Sequence, residues 1–400
     1  MDSDFQGYRW YLLAFDDPEV TLPALYIERG CTNVELWING TLVKSGGRMR
    51  EPYTRNCYYP QLFEIPHLIL KPRDNQLAIR VAGYPLARVT ARQRLGGLSA
   101  IHLGSEPELR VRYEHQLFWK VTVAQIIGVV LALFGAFMLM LGRLRPDDRF
   151  FYYIGFAMIG WAALGARLYL RDVPLDGMTS EIMITALFPP IVYAAVQFLL
   201  HYVRSPRRWI TVGLGLQCAL VPLALLLAAP EHLFPVASFV YTLLAVEFVA
   251  ALICFGWRSW YTMRADFWLI GSAELMAALL AAAEIAIQNH WLPLPNIHLL
   301  HFAGPLILMV IGARLTQQFA IAINRSEQMN VELEQRVAEK SAKLEHNFAT
   351  LSELRATEAT LRERQRIASD LHDDLGAKLL TLVYRAEDNS LAGVARSALQ

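Results

Sequence analysis

The sequence has little charge for its length and almost no excess of either sign. Charged residues make up 18% of the 400 residues, with 37 Lys and Arg against 36 Asp and Glu, and the formal net charge is +1. Nucleic-acid binding needs a concentrated basic field, so this balance argues against direct nucleic-acid binding. Hydrophobic residues reach 54%, which is too apolar for a purely soluble multidomain protein. Membrane spans are therefore the first expectation.

Cysteine is scarce as well, and no metal site is predicted. Four cysteines are too few for a disulfide scaffold. Cys218 and Cys254 lie in apolar stretches, whereas Cys31 and Cys57 share the amino-terminal region. Two alternatives stay open for Cys31 and Cys57: a disulfide between them, or two separate small core residues.

Residues 1–112 contain no apolar run long enough to cross a bilayer, and alternate short β-rich segments with turn signals. In VELWINGTLV, Asn39 and Gly40 accept the positive φ angles of a type I′ turn, which predicts a β-hairpin. ALYIERG and NQLAIRVAGYP are predicted to be further strands, connected through FEIPHLILKPRDN. We therefore expect a globular all-β domain.

The order of these segments resembles the jelly-roll sandwich of galactose-binding-like domains. The segments are WYLLAF, LYIERG, VELWINGTLV, FEIPHLIL and NQLAIRV. That resemblance implies a β-sandwich sensor domain, with carbohydrate as one candidate ligand. Four aromatic residues suit stacking on a sugar ring, although core packing is the commoner role of aromatics on sandwich strands. They are Trp10, Trp37, Tyr58 and Tyr59.

Residues 117–318 contain seven apolar stretches, each about the 20-residue length that an α-helix needs to cross a hydrocarbon layer. We therefore expect a bundle of seven transmembrane helices. The predicted spans are 118–142, 150–170, 181–203, 209–229, 234–256, 267–288 and 297–317.

Positive charges in the connections predict the orientation, because Lys and Arg close to helix ends are retained in the cytoplasm. The arginines are Arg143, Arg145 and Arg149 in the first connection, Arg204, Arg207 and Arg208 in the third, and Arg258 and Arg264 in the fifth. No Lys or Arg is present in the fourth connection, PEHLFP, or in the sixth connection, QNHWLPLPN. In the second connection, Arg171 is balanced by Asp172 and Asp176. The β domain is therefore expected outside a bacterial cytoplasmic membrane and the carboxy terminus inside.

This topology requires export of the β domain. The opening MDSDFQGYRW has no charged stretch followed by an apolar run, so no signal peptide is predicted. We expect a truncated amino terminus, a misplaced start codon or an engineered start.

Several ionisable residues lie within the predicted spans, where a charge is costly and usually faces the bundle interior. One hypothesis is a buried polar network or a proton-sensitive sensor site. The other is a set of interhelical hydrogen bonds that fix the packing. The residues are Glu247, Glu274, Glu284 and His301, with Arg167 nearer an interface.

Residues 319–361 are charged and helix-favouring, with apolar residues at heptad spacing. This pattern predicts a parallel dimeric coiled coil that continues from the seventh span, and therefore a homodimer; the alternative is a solvated amphipathic helix. One series is Val337, Leu344 and Leu351, and the other is Leu333, Leu354 and Leu361, interrupted by Lys340 and Asn347.

The segment RERQRIASDLHDDLGAKLLTLV, residues 362–383, contains the candidate reactive group. His372 lies about 100° round the predicted helix from Leu371, on the flank of an apolar face. A phosphoacceptor histidine needs such a reachable neutral imidazole to attack the γ-phosphorus of ATP. Asp373 can hold the proton on the other ring nitrogen. By composition alone, however, a lone exposed histidine on a helix is usually an ordinary surface residue. The apolar face comprises Ile367, Leu371, Leu375, Leu379 and residues 381–383.

The run E-R-x-R-I-A-x-D-L-H-D-x-L-G, from Glu363 to Gly376, resembles the phosphoacceptor motif of the histidine kinase subfamily that partners helix-turn-helix response regulators. Seven spans behind an external β domain also resemble bacterial seven-transmembrane receptors with diverse intracellular signalling modules. Together these resemblances imply a sensor kinase. In that family ATP and Mg²⁺ serve autophosphorylation of the residue at His372, Asp373 assists, and a regulator aspartate receives the phosphoryl group.

Two departures from the family limit this expectation. Many members have glutamine where this chain has Ala377, so regulator phosphatase activity by the glutamine mechanism is not expected. The helix is predicted to end near Glu387 and turn at Asp388 and Asn389, so residues 362–400 are expected to be an incomplete dimerisation and phosphotransfer domain. A second helix would begin near Ser390. No ATP-binding domain follows in these 400 residues, so this chain alone is expected to be unable to phosphorylate itself.

Two other classes of protein are alternatives. A non-enzymatic receptor or scaffold would retain only the dimerisation helix. A transporter is less consistent with the sequence, because inverted repeats and paired broken helices are not evident and a coiled coil has no role there.

Overall fold

A computed structural model describes residues 7–90, 96–262, 264–288, 299–385, 393–394 and 397–398. The chain forms two compact units, Met1–Leu315 and Thr316–Gln400. The predicted turn at Asp388 and Asn389, the predicted helix start at Ser390 and most of the sixth connection lie outside the described residues.

The first unit begins with short β-strands, so the predicted β region is confirmed. Four antiparallel strands form one sheet in the order β1-β7-β4-β5, three form a second in the order β6-β2-β9, and β3 pairs with β8. The strands are β1 Gly7–Phe15, β2 Pro23–Ile27, β3 Gly30–Cys31, β4 Val34–Ile38, β5 Thr41–Ser45, β6 Gln61–Glu64, β7 Asn75–Gly83, β8 Gly97–Leu98 and β9 Ile101–Ser105.

The two larger sheets enclose one hydrophobic core. Alternate residues of β4 are buried, as expected of a strand with one face toward a core. β2 is buried along its whole length because helix α1, Glu106–Leu117, covers its second face, where Leu109 packs with Ala24 and Tyr26. The core residues are Leu25, Ile27, Val34, Leu36, Ile38, Phe63, Ile65, Leu77, Ile79 and Val81.

The predicted hairpin between β4 and β5 is confirmed. Ile38 pairs with Thr41 across the turn, and φ is +48° at Asn39 and +81° at Gly40. The Asn39 side-chain amide also donates hydrogen bonds to the Ile69 carbonyl at 2.7 Å and to Asn75 Oδ1 at 2.9 Å. The turn is therefore fastened to the connection that precedes β7.

Seven helices within the described residues are long and apolar enough to cross a membrane, so the chain is a multi-pass membrane protein by length and composition. Their number and approximate positions agree with the prediction. The helical spans are Glu106–Leu144, Phe150–Leu168, Gly177–Tyr202, Arg208–Leu227, Pro230–Thr262, Phe267–Glu284 and Leu300–Arg385. The α-helices after α1 are α2 Val123–Leu144, α3 Phe150–Gly165, α4 Gly177–Ala186, α5 Phe188–Tyr202, α6 Arg208–Leu227, α7 Leu233–Thr262, α8 Arg264–Gln288 and α9 Ala303–Arg385.

Two spans differ in detail from the sequence expectation. The first helix starts directly after β9 and continues through a π-helical turn, Phe118–Thr122, so it is longer than the apolar run. The third span is two helices, α4 and α5, joined at Leu187. Pro189 and Pro190 follow the join, and proline is tolerated in the first turn of a helix because that turn's N–H groups have no helical partner.

The helices of the first unit pack most closely where α2 meets α3. A Cβ atom added to Gly135 would lie 2.9 Å from the carbonyl oxygen of Gly155, and one added to Gly155 would lie 2.8 Å from that of Gly135. Small residues allow backbones to approach in membrane helices, which brings more atoms into van der Waals contact. This contact anchors the first two spans to each other.

The second unit consists mainly of the remainder of α9, an 83-residue helix in all. Residues 316–375 of this helix are exposed throughout, including the apolar heptad residues. The long carboxy-terminal helix is thus confirmed.

Candidate functional site

His372 and Asp373 lie on α9 with exposed side chains. Consecutive helical residues diverge by about 100°, so these two side chains do not face each other along an undistorted helix. The ion pairs of this stretch join other residues. Asp374 Oδ2 lies 2.6 Å from Lys378 Nζ, and Glu363 pairs with Arg366 at 2.6 Å.

His372 lies on the border between two sides of α9. The apolar face that contains Leu371 and Leu375 lies on one side of it, and Asp370, Asp373 and Asp374 lie towards the opposite side. This arrangement leaves the imidazole reachable while the apolar face is free to pack.

The residues one turn away from His372 on its own face are mostly small. Positions i−4, i−3 and i+4 are Ala368, Ser369 and Gly376. Small neighbours leave space around the ring for the approach of another molecule. The sequence motif contained this feature, although the prediction did not use it.

The intramembrane ionisable residues are distributed over several helices. Glu284 Oε2 accepts a hydrogen bond from the backbone N–H of Leu299 at 2.8 Å, and His301 lies in the adjoining turn; both side chains are buried. Glu274 is ten residues before Glu284 on α8, about 15 Å along the helix. Glu247 lies on α7. The structure therefore groups Glu284 with the turn that contains His301 and places the other two residues elsewhere.

The aromatic residues considered for sugar stacking fall into two pairs. Trp10 and Trp37 lie 6.0 Å apart between ring centroids on β1 and β4, with the Arg80 guanidinium 5.8 Å from the Trp10 ring. Tyr58 and Tyr59 instead lie in the loop that meets the helices. The four rings thus form no single platform.

The loop that contains Tyr58 and Tyr59 is joined to β3 by a disulfide between Cys31 and Cys57. Of the two alternatives for this pair, the structure has the bonded one. Cys218 and Cys254 are free thiols.

The connection between the second and third spans is held by the β domain. The Arg171 guanidinium donates to Asn56 Oδ1 at 2.9 Å and to the Gly46 carbonyl at 2.8 Å, and its backbone carbonyl accepts from the Arg55 N–H at 2.9 Å. Thr54 Oγ1 donates to Asp172 at 2.7 Å. These four bonds, of which the three that involve a charged side chain are charge-assisted, join the two parts of the first unit.

A cavity of about 60 Å³ lies beside this contact, between the β domain and the start of the third span. Glu181 of α4 forms part of its wall and is 5% exposed. Its Oε2 accepts hydrogen bonds from the Thr90 N–H at 3.0 Å and the Thr90 hydroxyl at 2.6 Å, and Arg55 lies 4.0 Å from its Oε1. Arg88 and Arg167 also line the cavity.

Tyr84 is another wall residue of this cavity. Burial raises the pKa of its phenol above the ordinary value, and the nearby Glu51 carboxylate acts in the same direction. The phenol is therefore neutral over the physiological pH range, and its hydroxyl is hydrogen-bonded to the Glu51 carboxylate.

Sequence reasoning missed this cavity because its walls come from separated parts of the chain. Thr90 and Glu181 are 91 residues apart. The one local signal was Glu181 itself, an acidic residue at the first position of the predicted third span.

Comparison with known proteins yields no matching family model and no matching curated protein.

Proposed function

We propose that the chain is the sensor and phosphoacceptor part of a bacterial membrane histidine kinase. His372 accepts a phosphoryl group from ATP and passes it to an aspartate of a response regulator with a helix-turn-helix output domain. The observation that carries this proposal is the placement of His372 within the Glu363–Gly376 motif, exposed on a continuous helix that extends from the last span.

The chemistry needs one reachable ring nitrogen. Its lone pair attacks the γ-phosphorus, an N–P bond forms, the bond from the γ-phosphorus to the bridging oxygen breaks, and ADP leaves. The imidazolium then loses the proton on its other nitrogen, for which Asp373 is the proposed acceptor. Mg²⁺ neutralises the phosphate charge. By family resemblance, ATP and Mg²⁺ are held by a separate kinase domain.

The finer architecture belongs to the same proposal. The β region is a jelly-roll-like sandwich outside the cytoplasmic membrane, where it meets a ligand such as a carbohydrate. Residues 319–361 form the signalling coiled coil, and residues 362–400 belong to the dimerisation and phosphotransfer domain.

Exposed aromatic residues beside arginines support this orientation. Trp209 follows Arg208 at the start of α6, and Trp257 and Tyr261 are close to Arg258 at the end of α7; all three rings are exposed. Tryptophan and tyrosine concentrate at membrane–water interfaces, while arginine is retained in the cytoplasm. The proposal accordingly has these two helix ends at the cytoplasmic interface and the β domain outside.

The exposed apolar residues of α9 support a homodimer. Val337, Leu344 and Leu351 are each more than half exposed, and their seven-residue spacing places them on one side of a supercoiled helix. A second copy of the chain would bury this stripe. The other heptad series, Leu333, Leu354 and Leu361, has polar interruptions at Lys340 and Asn347, which lower the stability of one register and suit a helix pair that shifts on signalling.

Non-enzymatic phosphorylation tests the phosphotransfer step without a kinase domain. Potassium phosphoramidate transfers its phosphoryl group to an accessible imidazole and releases ammonia. After this treatment and removal of the reagent, the chain should pass phosphate to a receiver domain of the proposed regulator class. His372→Gln should abolish transfer, and the matched variant His346→Gln, on the same exposed helix, should retain it.

Equal transfer from both variants would contradict the role of His372. Absence of any transfer from a protein that is demonstrably labelled at His372 would instead favour a non-enzymatic receptor.

A further inference from the structure

The cavity between the β domain and the third span has an excess of positive charge. Three arginines line it: Arg55, Arg88 and Arg167. The only carboxylate in its lining, as far as the structure describes the chain, is Glu181. Glu51 lies close to Tyr84, outside the lining. Three guanidinium groups against one lining carboxylate favour an anionic occupant.

Glu181 is already engaged by its neighbours. It accepts two hydrogen bonds from Thr90 and lies 4.0 Å from Arg55. Within the described residues Arg88 takes part in no ion pair. It is the last residue of a short 3₁₀ turn, Leu86–Arg88, at the cavity wall. Arg88 is therefore the arginine best placed to bind a ligand.

The remaining wall consists of phenol rings with their hydroxyls and of apolar surface. Tyr53, Tyr58 and Tyr84 line the cavity together with Val89 and Ile184. Phenol hydroxyls and planar guanidinium groups match the oxygens of carboxylate and phosphate groups.

The size of the cavity limits the ligand. A volume of about 60 Å³ accommodates on the order of four to six waters, when one water needs roughly 10–15 Å³ on the same measure. A small carboxylate or an inorganic phosphate fits this volume. An oligosaccharide does not.

We propose that this cavity binds a small oxyanion, a carboxylate or a phosphate, held mainly by Arg88. The walls come from the β domain and from the start of the third span, so the bound anion contacts both and favours the arrangement in which they are closed on it. This binding does not depend on whether His372 is phosphorylated.

Thermal unfolding of the chain in neutral-lipid nanodiscs tests the proposal. Acetate, malonate, succinate and inorganic phosphate are titrated at constant ionic strength, with chloride as the reference anion. At least one of them should raise Tm with saturation, because a ligand that binds only the folded state stabilises it. Arg88→Met should weaken the apparent affinity at least tenfold, whereas Arg73→Met, an exposed arginine of the same domain, should leave it unchanged.

Arg88→Lys keeps the positive charge and loses the planar guanidinium group, so it should give an intermediate affinity. It also replaces Arg88→Met as the test variant if Arg88→Met lowers Tm in the absence of anion. No stabilisation by any of the four anions in neutral lipid, together with no stabilisation by anionic lipid in their absence, would overturn the proposal. So would a shift that both Arg88 variants retain in full. A shift produced only by anionic lipid, and lost in Arg88→Met, would support oxyanion binding and identify a lipid headgroup as its source.

Discussion

The ammonium group of Lys120 lies 3.2 Å from a carboxylate oxygen of Glu28. Lys120 belongs to the π-helical turn of the first span and is 7% exposed, while Glu28 directly follows β2. The first span and the β domain are thus joined by an ion pair in which the lysine is buried and the carboxylate is partly exposed.

Removing the carboxylate charge should destabilise the first unit. Glu28→Gln leaves the ammonium of Lys120 buried without its counter-ion, and we expect a loss of about 1–3 kcal/mol in unfolding free energy. Urea unfolding in detergent measures it. Glu64→Gln breaks an exposed pair with Arg110 in the same domain and should cost no more than about 0.5 kcal/mol. Equal losses would contradict the assigned burial.

The disulfide between Cys31 and Cys57 should be present in the purified protein. Alkylation of the denatured, unreduced chain should modify only Cys218 and Cys254, and reduction should expose two further thiols. Because the bond closes a loop with a sequence separation of 26, its loss should cost roughly 2–4 kcal/mol. Cys31→Ala measures that cost. Four alkylated cysteines before reduction would refute the pairing.

Cysteine cross-linking should locate the homodimer seam on α9. In a Cys218→Ala, Cys254→Ala background, Leu344→Cys should form an intermolecular disulfide readily on mild oxidation, because heptad core positions of parallel helices face each other. Glu345→Cys, one residue on and turned about 100° away, is the matched control and should cross-link poorly. Similar yields at the two positions would indicate a solvated helix.

The small residues around His372 should be needed for access. Gly376→Leu places a bulky side chain one turn from the imidazole, and labelling of His372 by phosphoramidate should fall at least tenfold. Leucine favours the helix over glycine by about 1 kcal/mol, so lower stability would not explain the loss. Ala377→Leu points about 140° away from His372 and should label normally. Normal labelling of Gly376→Leu would show that access does not depend on Gly376.

The parts of the fold that could be predicted from the sequence are those set by local chemistry. Asn39 and Gly40 determine a hairpin turn through their own φ angles, and each span is recognisable from a single apolar run. The contact between Glu28 and Lys120 joins residues 92 apart, and that between Asn56 and Arg171 joins residues 115 apart. Periodicity and composition contain no information about such pairs.

The candidate sites likewise include one that the sequence predicts locally and one that depends on contacts between distant residues. The exposed helical placement of His372 could be predicted because its motif is continuous and a helix presents neighbouring positions in a known order. The cavity around Glu181 could not, because Arg55, Arg88 and Arg167 are brought together only by docking of the β domain on the helices.

The central claim is that His372 is the phosphoacceptor, and labelling in trans tests it most directly. The chain is incubated with [γ-³²P]ATP, Mg²⁺ and an intact kinase domain of the proposed family. The proposal predicts acid-labile, alkali-stable label that mass spectrometry assigns to His372 and that His372→Gln eliminates. A chain that stays unlabelled at His372, while the same kinase domain labels its own phosphoacceptor, would contradict the proposal.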